Sequence, residues 1–208
     1  MDFDLDSLSS AVKNDVRYPP QMQWVDRGIK GQGFYPGAEI CTFNGSPAGG
    51  IMLLGRDFGT LDYYQRLANE PGRSEWALTW RHTRDIYLTE LTNIPIWCTN
   101  YLMGVRKDGS SKGDVSSRMS QQEWDSFEES CWGLLEKQIS LQSPKVIVVF
   151  GDDNQRDLNR KTRLGTLRSS CLSIVYSKHP HSAIGERNQI VHRQQCATIR
   201  SLWLKQFA

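Results

Sequence analysis

The chain has 208 residues, enough for one domain with a substantial core, and a formal net charge of only +2, so total charge names no partner. Its five cysteines, Cys41, Cys98, Cys131, Cys171 and Cys196, stand far apart with no C-x-x-C pair, which argues against a zinc site or an iron–sulfur cluster. With no signal-peptide pattern and no apolar run of about twenty residues, the chain reads as cytoplasmic, nucleoid-associated if bacterial, with reduced thiols and no membrane contact.

Residues 1–47 are polar and rich in Gly and Pro. They are expected to form an irregular arm packed on the domain, with one short helix from Leu5 to Asp15. The GxG at Gly31–Gly33 follows no strand, so it is not a dinucleotide fingerprint. Residues 48–208 then form the domain proper. Ile51-Met52-Leu53-Leu54 is a short apolar run between glycines, as in a strand buried on both faces. It ends in Gly55-Arg56-Asp57-Phe58-Gly59, where glycines let the backbone approach a ligand.

A helix is predicted over Trp80–Leu91, with Leu88 and Leu91 on one side with Arg84. Ile96-Trp97-Cys98-Thr99 is a second strand ending in Asn100. Lys107–Ser117 reads as a mobile polar loop. Ser120 and Glu123 form a capping box. Behind it Trp124, Phe127, Cys131, Leu134, Leu135 and Ile139 recur at helical spacing, and Pro144 stops the helix. Lys145–Phe150 is a β-branched strand ending at Gly151. Leu172–Tyr176 is a fourth, followed by Ser177-Lys178-His179-Pro180-His181, and Asn188–Phe207 closes the chain as a helix.

Strands alternate with helices, are apolar throughout and end in polar residues. The fold class is therefore α/β, a three-layer α/β/α sandwich with a short, mostly parallel four-stranded sheet. Ligands of such sheets bind at the carboxyl ends of the strands. Those ends deliver Asp57, Asn100, Asp152-Asp153 and His179. A carboxylate to activate water, an amide to read a planar polar group and an imidazole to meet developing negative charge would make an active site. Each has a plainer role: Asp57 as a helix cap, Asn100 in a turn, His179 bonded to backbone. Arg156, Arg160, Lys161, Arg163 and Arg168 crowd thirteen residues against one acid, Asp157. They form either a solvated face or a phosphate-contacting surface.

These segments, in this order, resemble the uracil-DNA glycosylase superfamily over residues 48–205. Gly55-Arg56-Asp57-Phe58-Gly59 resembles its water-activating motif, GQDPY in one branch and GxNPG in others. Thr99-Asn100-Tyr101-Leu102-Met103-Gly104-Val105-Arg106 resembles the strand whose Asn reads the uracil edge. His179-Pro180-His181-Ser182-Ala183 resembles the HPSPLSA loop that contacts uracil O2 and wedges into the duplex. Ser143-Pro144-Lys145-Val146-Ile147 sits where the family has its third strand.

The resemblance implies a uracil-DNA glycosylase-like fold and a DNA glycosylase that removes uracil or a related damaged base, acting in DNA repair as a monomer without cofactor or metal. Asp57 and His179 would be catalytic, orienting water at C1′ of a flipped nucleotide and donating to the departing base. Gly55, Arg56, Phe58, Gly59, Asn100 and His181 would line the base pocket. Lys178, Ser182 and Arg187, with Arg156, Arg160, Lys161 and Arg163, would contact DNA. Phe58 stands for the family's Pro and His181 for the first Ser of the loop, and Ile184 is the nearest wedge. Phe58, Tyr64 and Trp80 are candidates to stack on the base. Gly59, where one branch has Tyr, would admit C5-substituted bases. Two alternatives stand beside this: a superfamily member that binds nucleic acid or a nucleobase without cleavage, and an unrelated nucleotide-handling enzyme holding Mg²⁺ on Asp152-Asp153.

Overall fold

In a computed structural model of the chain, residues 5–24, 48–69, 78–107, 115–160, 163 and 173–207 are described. The GxG at Gly31–Gly33, Cys41, Cys171, Lys161, Arg168 and the tip of the 107–117 loop lie outside them. The centre is a four-stranded sheet of β2 (Ile51–Gly55), β3 (Ile96–Asn100), β5 (Val146–Phe150) and β6 (Ser173–Ser177). Its order is β3-β2-β5-β6, and all three pairings are parallel.

Every residue of β2, β3 and β5 is buried, as the unbroken apolar runs require of a sheet covered on both faces. Alternation divides the side chains into two cores. Met52, Leu54, Trp97, Ile147 and Val149 join one cluster with residues of α1 (Leu5–Asn14) and α4 (Gln121–Gln142). Ile51, Leu53, Ile96, Cys98, Val146 and Val148 join the other, with Ile86, Tyr87 and Leu91 from the segment that continues α3 (Leu78–His82), and with α6 (Glu186–Leu204). The protein is thus a mixed α/β fold with helices on both faces of a parallel sheet.

α4 forms as expected. Ser120 caps it reciprocally with Glu123, and the left-handed Ser143 (φ 46°) terminates it just before Pro144. Ile139 is only partly buried; the other five residues of its expected core face are buried. Several elements have no range predicted from the sequence, although helices after Asp57 and after the Asp152-Asp153 pair are among its plainer readings. α2 (Leu61–Asn69) follows the Asp57 turn, and α5 (Asp152–Arg160) opens on the paired aspartates. Within the N-terminal segment, β1 (Met22–Gln23) pairs antiparallel with β4 (Val105–Arg106). Val115–Arg118 is a 3₁₀ turn rather than open loop.

The helix expected over Trp80–Leu91 is only briefly α-helical. It widens into a π-helical stretch, Thr83–Leu88. The wider turn alters which residues share a face: Ile86 and Tyr87 go inside with Leu91, while Leu88 stays at the margin and Arg84 pairs with Asp85.

Candidate active site at the strand ends

β2 and β3 end side by side, with Gly55 paired to Asn100 in register. Gly55 is buried there, and its carbonyl accepts from Tyr101 N at 2.9 Å. Beyond it the chain makes an Asx turn: Asp57 Oδ1 accepts from Gly59 N at 2.8 Å. Gly59 sits at φ 79°, and an added Cβ would lie 3.6 Å from the Tyr63 ring. The glycine is therefore needed by the backbone. The side chain nearest that position is the half-exposed Tyr63 on α2. Arg106 Nη2 lies 3.3 Å from Asp57 Oδ1. Both contacts fall on one oxygen, and Oδ2 has no partner among the described residues.

Asn100 is the most telling side chain of the site. It is 0 % exposed, yet neither its amide nitrogen nor its amide oxygen has a hydrogen-bond partner among the described residues. Leaving such a group unpaired out of water costs about 1–3 kcal/mol, so the fold retains it at a loss. By alternation it belongs to the sheet face shared with Cys98 and Val148, the face covered by α6 and by the segment that carries Ile86 and Tyr87.

His179 follows β6 and packs against Gly151, whose added Cβ would lie 3.8 Å from the His179 Cβ. Its Nδ1 accepts from His181 N at 3.2 Å, so the neutral ring carries its proton on Nε2 as a donor. Burial above all, then the neighbouring His181, pushes its pKa down to about 4, against the opposing pull of Asp57.

The His179 loop is tied to the α3/α6 face by a polar network. Pro180 O accepts from His82 Nδ1 at 2.8 Å. Ser182 Oγ donates to His179 O at 2.8 Å and lies 3.2 Å from His192 Nε2. His192 Nδ1 meets Tyr87 Oη at 2.7 Å, and Tyr87 Oη meets Ser177 Oγ at 2.7 Å. All four histidines of the chain, His82, His179, His181 and His192, thus gather around one loop. They lie up to 110 positions apart in sequence, and only the pairing within the loop was readable there.

Other expected site residues sit elsewhere. Arg56 turns toward α5: its Nε donates to Asp157 at 2.9 Å and its guanidinium lies 3.7 Å from Asp153. Phe58 and Tyr64 belong to the core shared with α1 and α4, which argues against either as an open stacking platform. The Trp80 side chain lies outside the described residues. Ser182, expected on the DNA surface, spends its hydroxyl inside the loop. His181, Lys178 and Arg187 are exposed, near the exposed Ile184, Ile190 and Val191.

The basic cluster does not form one surface. Arg163 is buried against α4: it pairs with Glu129 at 2.5 Å, lies 3.7 Å from Glu128 and stacks over Trp132 at 4.9 Å. A charge buried this way is committed to its partners and is not offered to a phosphate. Arg156 is exposed and pairs with Asp153 on its own helix. The Arg160 side chain, with Lys161, lies outside the described residues. Asp153 already faces two arginines, and the described residues hold no group of three His, Cys, Asp or Glu able to hold a metal ion.

No protein-family model matches the chain, and no curated protein matches it. None of the described helices is long and apolar enough to cross a membrane.

Proposed function

We propose that the protein is a DNA glycosylase of the uracil-DNA glycosylase superfamily, hydrolysing the N-glycosidic bond of uracil or a related base. The observation that carries the reading is Asn100. A fully buried carboxamide with both polar atoms unpartnered, at the carboxyl end of a parallel strand, is suited to a ligand with adjacent donor and acceptor. The edge of a pyrimidine base is such a ligand, and a base reaches so enclosed a position only when flipped from the stack.

The neighbouring groups fit the bond to be broken. Asp57 presents Oδ2 to orient a water at C1′, and its negative charge favours the oxocarbenium-like sugar. His179, neutral and with its proton on Nε2, donates to the oxygen on which the leaving base gathers charge. One such preorganised donor is worth about 3–4 kcal/mol. The exposed Lys178 and Arg187 flank the loop as phosphate contacts, and Ile184 offers an apolar tip toward the duplex. The protein would act as a monomer on DNA in the cytoplasm.

The test is a DNA oligonucleotide with a single uracil, incubated with the protein, treated with alkali and examined for strand cleavage. Cleavage that persists in EDTA supports the reading over a metal-dependent nucleotide enzyme. Tight binding of uracil-containing DNA without cleavage would instead favour a binding protein.

A further inference from the structure

Arg106 is buried at the end of β4, in a segment where only Asn100 had been singled out. A guanidinium removed from water needs an anionic partner, and Asp57 supplies one at 3.3 Å, with side-chain exposures of 9 % and 11 % for the pair. The Arg106 backbone is held from two sides. Its N–H donates to Gly59 O at 2.9 Å, beside a parallel bridge to Thr60, and across the other edge it pairs with Met22 of β1. The arginine and the Asp57–Gly59 turn are therefore fastened together through main chain as well as side chain.

Both bonds to Asp57 land on Oδ1, which fixes the plane of the carboxylate and leaves Oδ2. The geometry points to Arg106 as a positioning residue for the hydrolysis: it holds Asp57 so that Oδ2 faces the attacking water. This rests on Asp57 being the water-orienting carboxylate of the proposed function. It also makes the N-terminal segment part of the site, because Met22 and Gln23 keep β4 in register. A misplacement of about 1 Å at a reacting group costs about a hundredfold in rate.

The experiment compares wild type, R106A, R106K, D57N and the D57N/R106A double variant on a uracil-containing oligonucleotide, with melting followed by circular dichroism. R106A should lower kcat about a hundredfold while KM stays within about threefold. Added guanidinium should restore part of the loss. R106K keeps the charge without the planar fork and should fall between. On the D57N background R106A should remove nothing more, since the group it positions is already gone. Wild-type kcat in R106A, or a second equal loss in the double variant, overturns the inference. If R106A does not fold, R106K decides, and an unchanged kcat there overturns it. A wild type that D57N inactivates and the Arg106 variants do not overturns this inference alone. A wild type that releases no base overturns the proposed function, and this inference with it.

Discussion

Replacing Asn100 by leucine should stabilise the protein and destroy its function. The two side chains share length and branching, so the exchange mainly removes an amide that is fully buried and unpartnered at both polar atoms. A buried polar group left unpaired costs about 1–3 kcal/mol, and its exchange for an apolar group of similar shape is neutral or stabilising. Taking about 2 kcal/mol, and about 2–4 °C per kcal/mol for a chain of this size, the variant should melt about 4–8 °C higher. Thermal unfolding by circular dichroism measures this directly. Free uracil provides the second half of the assay. At about a hundred times its dissociation constant a ligand adds about 2.7 kcal/mol to the stability of a protein that binds it, so uracil should raise the melting point of wild type and leave Asn100→Leu unmoved. A variant that melts below wild type would refute the reasoning, since the amide would then be holding the fold together.

Asp57→Asn should retain DNA binding and lose most turnover, and His179→Ala should lose about 10²–10³ in rate; full activity in both would mean the site is wrong. Acid should destabilise the fold through His179. Its folded pKa of about 4 lies below the ordinary 6.5, so its neutral form contributes stability fully present above pH 6.5 and lost as pH falls toward 4. Urea unfolding between pH 4 and 7 should therefore be less pH-dependent in His179→Ala. Gly59→Ala should cost about 1–2 kcal/mol through its left-handed backbone, whereas Tyr63→Ala should relax discrimination between uracil and 5-hydroxymethyluracil; unchanged selectivity would remove Tyr63 from the pocket wall. Neutralising Lys178 or Arg187 should each reduce the log–log salt slope on duplex DNA by about 0.9. Arg163→Ala should leave that slope alone and destabilise the fold by about 3–5 kcal/mol.

The sheet was legible because β2, β3 and β5 are buried on both faces and so are apolar along most of their length, while β6, only partly buried, still carries the β-branched run Ile174-Val175. β2, β3 and β5 match their expected ends to within a residue, and β6 runs to Ser177. The cap of α4 was legible because a reciprocal Ser–Glu pair is local in sequence. Long-range side-chain pairing was not. Arg163 looked like part of a basic run because its acids, Glu128 and Glu129, sit on another helix. Arg56 and Asp157 are 101 positions apart and gave no shared signal. The π-helical widening was hidden because a turn of either type leaves a similar apolar pattern over so few residues. Asn100 and His179 could be located by their strand ends. Neither the unpartnered amide of the one nor the proton placement of the other can be read from residue types.

The two sides of the site are built differently. Asp57 and Asn100 stand just beyond and at the ends of the neighbouring strands β2 and β3, where main-chain bonds from Tyr101 to Gly55 and from Arg106 to Gly59, with the Gly59 N–H on Asp57 Oδ1, fix the backbone. His179 sits on a loop whose position depends on side chains from two helices: His82 on α3, Tyr87 in the π-helical stretch that continues it, and His192 on α6. In the proposed glycosylase, the groups that would recognise the base and orient water can be rigid from the outset. The donor proposed to meet charge on the leaving base would matter most in the transition state, where its exact distance decides how much it contributes. The loop is instead fastened by side-chain hydrogen bonds from His82 and His192 and, through Tyr87, by the end of β6. That gives the π-helical stretch a purpose in the site: it carries Tyr87 inward, between His192 and Ser177, and so links the loop to the end of β6.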